Sequence, residues 1–359
     1  MLRVKLVLSD LHIGMGATDP EGRRNEYEDF VQDERLIEFL EYYRTAEYLD
    51  AEVEVVLNGD VLEQLQPCEG EERPDHVTER TAVERTKRIV AGHPALFDAL
   101  AQFARQPSKR ISIVIGNHDP AYVWEGVQKV LRDRISSDLV FHTDPYRFDG
   151  VHIEHGHQHE AANRVEPDQI FLTRRLNEPI LYLPWGTQFV IFFLNRLKHR
   201  YPYVDKVRPF RRFLRWCLFY DFWLLMKMGF FLMIFFFRGF FRRHPQMRTH
   251  FRQMIRILRE AAVFPTLDRA AEEILARDAS IHTVVFGHTH GAKVRQFAPG
   301  KDYVNTGTWN TLTSLEVGSL GTRTRLTYAK IVLGVGQPRT ELRVWFGRGR
   351  VNELFDAAA

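Results

Sequence analysis

The chain has 359 residues, 45% of them hydrophobic and 26% charged, which describes a globular protein of two domains or of one large domain with an insertion. Two cysteines, Cys68 and Cys217, exclude a disulfide framework and a Cys-rich zinc site. The formal net charge of +3 hides an asymmetry: residues 163–259 hold 19 Lys and Arg against 5 Asp and Glu, while the remainder holds 30 against 41. Of the 45 aromatic residues, 21 fall within 180–241. A basic, aromatic block set inside an acidic chain points to an anionic partner surface.

In chain order, residues 2–8 alternate charge with aliphatics and predict a buried strand ending at Ser9. They lack the apolar core of a signal peptide, so the expected compartment is the cytoplasm, with the protein peripheral on the inner face of the membrane. A Gly-rich loop, 14–25, leads to a helix over 29–48. Strands are expected at 53–57 and 111–115, separated by a helix over 78–105 that Gly92 and Pro94 should break. A helix over 121–134 precedes short strands at 139–142, 146–148 and 151–154. The pattern resumes after the block with a helix at 266–277 and strands at 283–286, 303–305, 324–333 and 340–347, a hairpin turn filling 334–338. Alternating strands and helices define an α/β layered domain.

Five polar clusters directly follow predicted strands: Asp10-Leu11-His12, Gly59-Asp60, Gly116-Asn117-His118-Asp119, His155-Gly156-His157 and Gly287-His288-Thr289-His290. Ligands of open α/β sheets bind beyond the carboxyl ends of the strands, so these clusters converge. Oxygen and imidazole donors suit manganese, iron, zinc or magnesium, and the supply is sufficient for two ions sharing a carboxylate. The neighbouring glycines permit sharp turns and close backbone approach. His152 reads as sheet packing; His157 and His159 are open to either a structural or a ligand role.

The ordered set Asp-x-His, Gly-Asp, Gly-Asn-His-Asp, His and Gly-His-x-His resembles that of the calcineurin-like binuclear metallophosphoesterases, over roughly 2–160 and 280–312. The resemblance implies a four-layer α/β/β/α sandwich. It further implies two divalent metal ions, manganese ahead of iron, zinc or magnesium. Asp10, His12 and His290 would hold the first, Asn117, His155 and His288 the second, and Asp60 would bridge them. It implies His118 as general acid, oriented by Asp119, and hydrolysis of a phosphoester or diphosphate by a hydroxide held between the metals.

The block interrupting this pattern sets the expected division: a discontinuous domain, 1–159 and 266–352, and a helical insert, 160–265. Its apolar stretches are too short or too interrupted to span a bilayer, which needs about 20 apolar residues. Trp185, Trp216 and Trp223, with Arg211, Arg212, Arg215, Arg238, Arg242 and Arg243, suit helices lying in a headgroup layer. Membrane contact through 179–241 is the favoured expectation, over an internal lid or a dimer interface. Nucleic acid is disfavoured, since runs such as Phe235-Phe236-Phe237 are unlike a strand-binding groove. The insert's position, together with Gly59-Asp60-x-x-Glu63, resembles the UDP-diacylglucosamine hydrolase branch, which implies a lipid-linked substrate. The chain departs from that branch at His118, where the branch carries Arg. The alternatives are a soluble phosphodiesterase or nuclease, and a non-catalytic membrane adaptor.

Overall fold

The computed structural model describes residues 1–18, 21–66, 76–166, 169–174, 176–198, 201, 204, 206–208, 210–241, 267–315 and 320–350. The first half contains β1 (Arg3–Leu8), α1 (Asp33–Arg44), β2 (Glu52–Asn58), α2 (Glu79–Gly92), α3 (Pro94–Ala104), β3 (Lys109–Val114), α4 (Glu125–Arg134), β4 (Val140–His142), β5 (Tyr146–Phe148) and β6 (Val151–Ile153). The insert region holds β7 (Phe171–Leu172), β8 (Ile180–Leu181), α5 (Trp185–Phe189), α6 (Asn195–Lys198), β9 (Val207–Arg208), α7 (Phe210–Tyr220) and α8 (Phe222–Phe241). The chain closes with α9 (Asp268–Arg277), β10 (Thr283–Phe286), β11 (Lys293–Ala298), β12 (Lys301–Asn305), β13 (Leu312–Ser314), β14 (Gly321–Arg323), β15 (Thr327–Leu333) and β16 (Arg339–Val344).

Two sheets carry the architecture. One is six-stranded in the order β16-β15-β1-β2-β3-β4, and the other five-stranded in the order β11-β12-β10-β6-β5. Strands β1 to β4 run parallel, as do β6, β10 and β12. The period-two alternation of a strand sorts the side chains into layers. Val7, Val56 and Val114 meet Val151, Ile153, Val285 and Val304 between the sheets. The alternate positions, Leu6, Leu8, Val55, Leu57 and Ile113, face α1 to α4. On the far side, Val284, Phe286 and Tyr303 pack against Leu267, Ala271 and Leu275 of the α9 segment. The molecule is therefore a four-layer α/β/β/α sandwich.

Local sequence explains the helix limits. Pro94 at the start of α3 breaks the long helical segment at His93, as expected. Thr78 and Thr81 bond reciprocally and cap α2. Helix α1 is shorter than its apolar pattern, and Ala46–Tyr48 continues it as a short 3-10 turn.

The expected insert boundary at 160 does not coincide with a packing boundary. Leu181, Leu183 and Ile191 belong to the main helix-side core. A π-helical turn, Val190–Leu194, joins α5 to α6, and Asn195 Nδ2 donates to the Leu65 carbonyl at 2.9 Å. Lys198 and Lys206 both pair with Asp29, at 2.7 and 2.8 Å. Strand β9 pairs with β13, from the far side of the insert. A second small core gathers Phe193, Leu197, Val204, Val207, Phe213, Cys217, Leu224 and Met228. Residues 242–266, including Arg242 and Arg243, and residues 351–352 of the expected domain end lie outside the described residues, as do the side chains of Arg211 and Arg238.

Candidate metal centre

Because the parallel strands share a direction, the turns after β1, β2, β3, β6 and β10 gather at one edge of the sandwich. They are sewn together there: Asp10 N donates to Gly59 O at 3.1 Å, His12 N to Asp60 O at 2.9 Å, and Gly287 N to His155 O at 3.0 Å. Asp10, His12, Asp60, His288 and His290 all have positive φ, between 49° and 69°. They are five of the seven non-glycine residues with positive φ among the described residues. Each such conformation costs on the order of 1–3 kcal/mol and persists only where its surroundings hold it. Gly59, with φ of 77°, lets the turn pass over the His155 ring, where a Cβ would collide.

These turns bring six of the seven expected donors together, with His118 among them and Asn117 in no set: Asp10, His12 and His290; His12, Asp60 and His118; Asp60, His155 and His288. Within each set the donor atoms lie within 4.8 Å of one another. His155 Nε2 stands 3.1 Å from Asp60 Oδ2, and His290 Nε2 stands 3.4 Å from Asp10 Oδ1. Asp60 belongs to two sets, the position a shared carboxylate requires.

Hydrogen bonds fix the imidazole tautomers. His155 Nδ1 donates to Asn58 O at 2.9 Å, so Nε2 is the nitrogen that faces Asp60. His12 Nδ1 donates to Glu63 at 2.9 Å, which turns Nε2 toward His290 Nε2, its hydrogen-bond partner at 3.1 Å. His288 reverses the pattern: Nε2 donates to Glu160 at 2.8 Å, and Nδ1 is buried without a hydrogen-bond partner. Asn117 Oδ1 is likewise buried and unpaired. Orphaned acceptors beside two carboxylates are the signature of a cation site, and the oxygen–imidazole donor set fits divalent ions.

Electrostatics agree. Burial works against the charge on Asp60, but His155 and His118 hold its carboxyl well below the ordinary range. Burial works equally against protonated His155, yet Asp60 and Asp10 push its pKa up to about 10. The site's acidic charge demands compensating cations, and protons are one form they can take.

His118 departs from expectation in its partner. Its Nδ1 donates to Glu63 Oε2 at 2.7 Å, and not to Asp119. Glu63 thus orients two rings, His12 and His118, at once. Burial would raise the Glu63 pKa, but His118 and His12 lower it. Asp119 has a different task. It accepts the backbone N–H groups of Gly116 and Val61, both at 2.7 Å, tying the β2 and β3 turns together. Burial and then the Asp60 charge push Asp119 up to about 7.

Several supports carried no signal in the sequence. Glu28 accepts Gly14 N and Gly16 N at 3.1 and 2.7 Å, and His93 bridges it to Asp33. Thr308 donates to Asp10 O at 2.6 Å. His159 bonds Glu154 at 2.6 Å and stacks on Phe286, and His152 pairs with the same carboxylate at 3.2 Å, so both are structural. His157 is buried beside the His155 and His288 rings. From the insert region, Thr187 Oγ1 lies 3.4 Å from the Asn117 carbonyl.

No protein-family model matches the chain, and no curated protein matches it. Among solved structures, it is similar to a protein from Streptococcus pneumoniae described as a predicted phosphoesterase, at 10% identity, covering 99% of this chain and 95% of that chain with a TM-score of 0.30. It is also similar to a dimetal phosphatase from Danio rerio, at 11% identity, covering 94% of this chain and 98% of that chain with a TM-score of 0.36. Overlaps this loose carry no argument about chemistry, which rests on the chain's own side chains.

Proposed function

We propose that the protein is a metal-dependent hydrolase of a phosphoester or diphosphate bond. The observation that carries this reading is the convergence of five strand-end turns on Asp60, with donor tautomers set by outer hydrogen bonds and two acceptors left orphaned. Asp10, His12 and His290 would hold one ion, Asn117, His155 and His288 a second, and Asp60 would serve both. Divalent ions bound there polarise a phosphoryl oxygen and lower the pKa of water, which makes a nucleophile available near neutral pH. Glu63 holds the His118 ring by Nδ1, so Nε2 is the atom that gives a proton to the leaving oxygen. The Glu63 carboxylate keeps that tautomer in place through turnover. Thr187, from the insert region, reaches the Asn117 carbonyl beside the donor set.

The substrate class we infer is a lipid-linked phosphoester or diphosphate, supported by that contact and by the aromatic, basic composition of the insert. Manganese is the ion we would load first. The test is hydrolysis in mixed micelles of UDP-diacylglucosamine and, separately, of a water-soluble aryl phosphodiester, with Mn²⁺ and with EDTA. Metal-dependent cleavage of both supports the reading. Cleavage of the aryl ester alone removes the lipid substrate and keeps the chemistry. No metal-dependent cleavage of either removes the hydrolase and leaves an adaptor.

A further inference from the structure

The corner between α7 and α8 has no use in the chemistry above. Asp221, which interrupts the apolar run in sequence, is the N-cap of α8: its Oδ1 accepts Leu224 N at 3.0 Å. The apolar run is thereby folded into two helices. Among the described residues no helix is long and apolar enough to cross a membrane.

Among the described side chains, each helix buries one stripe and exposes much of its opposite face. Phe213 and Cys217 of α7 face Leu224 and Met228 of α8, at helical spacing. Around the corner, Phe219 is 78% exposed, Tyr220 77% and Trp223 75%, and Phe222 is exposed beside them. The apolar surface continues along α8 through Met226, Phe230, Phe231 and Met233. An apolar helix face belongs in a protein core or in lipid, and among the described residues nothing covers this face of α8. Contiguous apolar surface of this kind marks an interaction site.

The chemistry of the patch selects the occupant. Trp and Tyr at its tip combine an apolar body with a polar handle, the pairing that suits a bilayer interface. Arg212, Arg215 and Lys227 are exposed on the same two helices, where Asp221 is the lone acidic residue. Charge complementarity therefore favours an anionic bilayer over a second copy of this basic surface.

We propose that the α7–α8 corner inserts Phe219, Tyr220, Phe222 and Trp223 into the interfacial layer of an anionic membrane. The flanking Arg and Lys side chains would contact phosphate headgroups. The helices would lie in the interface without crossing it. Docking needs neither metal nor turnover, so it stands or falls apart from the hydrolase reading.

The test is co-sedimentation of the full chain with vesicles of phosphatidylcholine alone and of phosphatidylcholine with phosphatidylglycerol. The wild type should bind the anionic vesicles, and salt should weaken that binding. Phe219→Ser with Trp223→Ser should weaken binding by roughly tenfold per buried ring removed. Because both side chains are exposed, thermal unfolding and aryl phosphodiester hydrolysis should be unchanged in that variant. Quenching of tryptophan fluorescence by brominated acyl chains should be smaller in Trp223→Phe than in the wild type. Vesicle binding that ignores the corner substitutions overturns the proposal. So does a wild type that shuns anionic vesicles, including one that forms dimers which the double substitution separates. Absent hydrolysis with intact vesicle binding removes the hydrolase and keeps the docking surface.

Discussion

The strand-end turns and the α7–α8 corner hold their side chains by opposite means. At the turns, strained backbone, buried carboxylates and fixed tautomers specify each donor atom, and a substitution leaves a buried polar group unpaired. At the corner, large apolar side chains project from helices that share one narrow stripe of packing, and most of them touch little protein. One region is over-determined and suits chemistry that needs fixed positions. The other is tolerant, and suits contact with a surface that has no fixed shape.

The contrast breaks first at Asp60. Replacing it with Asn should reduce metal-dependent hydrolysis to background while the circular dichroism spectrum persists, because Asn keeps the shape and loses the shared charge; retained hydrolysis would remove Asp60 from the centre. Next, Glu63→Gln should lower metal affinity or turnover by about 10–100-fold, the usual effect of an outer partner. It should also displace the alkaline limb of the pH–rate profile, whereas Asp119→Asn should act chiefly on thermal stability. An unmoved profile in Glu63→Gln, with a moved one in Asp119→Asn, would restore Asp119 as the orienting residue. Gly59→Ala should destabilise the fold by on the order of 1–3 kcal/mol, measured by denaturant unfolding, because the new methyl meets His155 at a left-handed φ.

A smaller effect is expected at His93. Burial lowers its pKa, but Asp33 and Glu28 outweigh burial and raise it to about 9. A raised folded-state pKa stabilises fully below the unfolded value of about 6.5, and the benefit is lost as pH rises through about 9. The thermal midpoints of wild type and His93→Gln should therefore converge over that window; a constant gap would contradict the ion pair. Smallest of all, Phe219→Ser alone should change stability by no more than about 0.5 kcal/mol, and a larger loss would show the corner to be packed.

The strands were readable because apolar alternation and motif position agree. That the polar clusters would gather in one place was readable because each follows a strand directly. Strand β11 was not: Lys293 and Arg295 mask its alternation, and both pair across space with Asp268. The β9–β13–β14 sheet escaped for a related reason, since each strand is two or three residues long and the β9–β13 pairing joins residues about 100 positions apart. Glu63 was visible as part of a motif, but its grip on His118 was not, because Asp119 is adjacent in sequence and Glu63 is adjacent in space. The division at residue 160 followed composition; Leu181, Leu183 and Ile191 pack in the core of the main domain, while Phe193 and Leu197 already belong to the second core.

The most direct test of the account is the metal content of the purified chain after loading with Mn²⁺ and dialysis, read by plasma mass spectrometry beside Asp60→Asn. Two ions per chain in the wild type, and a clear loss in the variant, are what a centre shared through Asp60 predicts. A wild type that retains no metal, or a content that Asp60→Asn leaves unchanged, would contradict it.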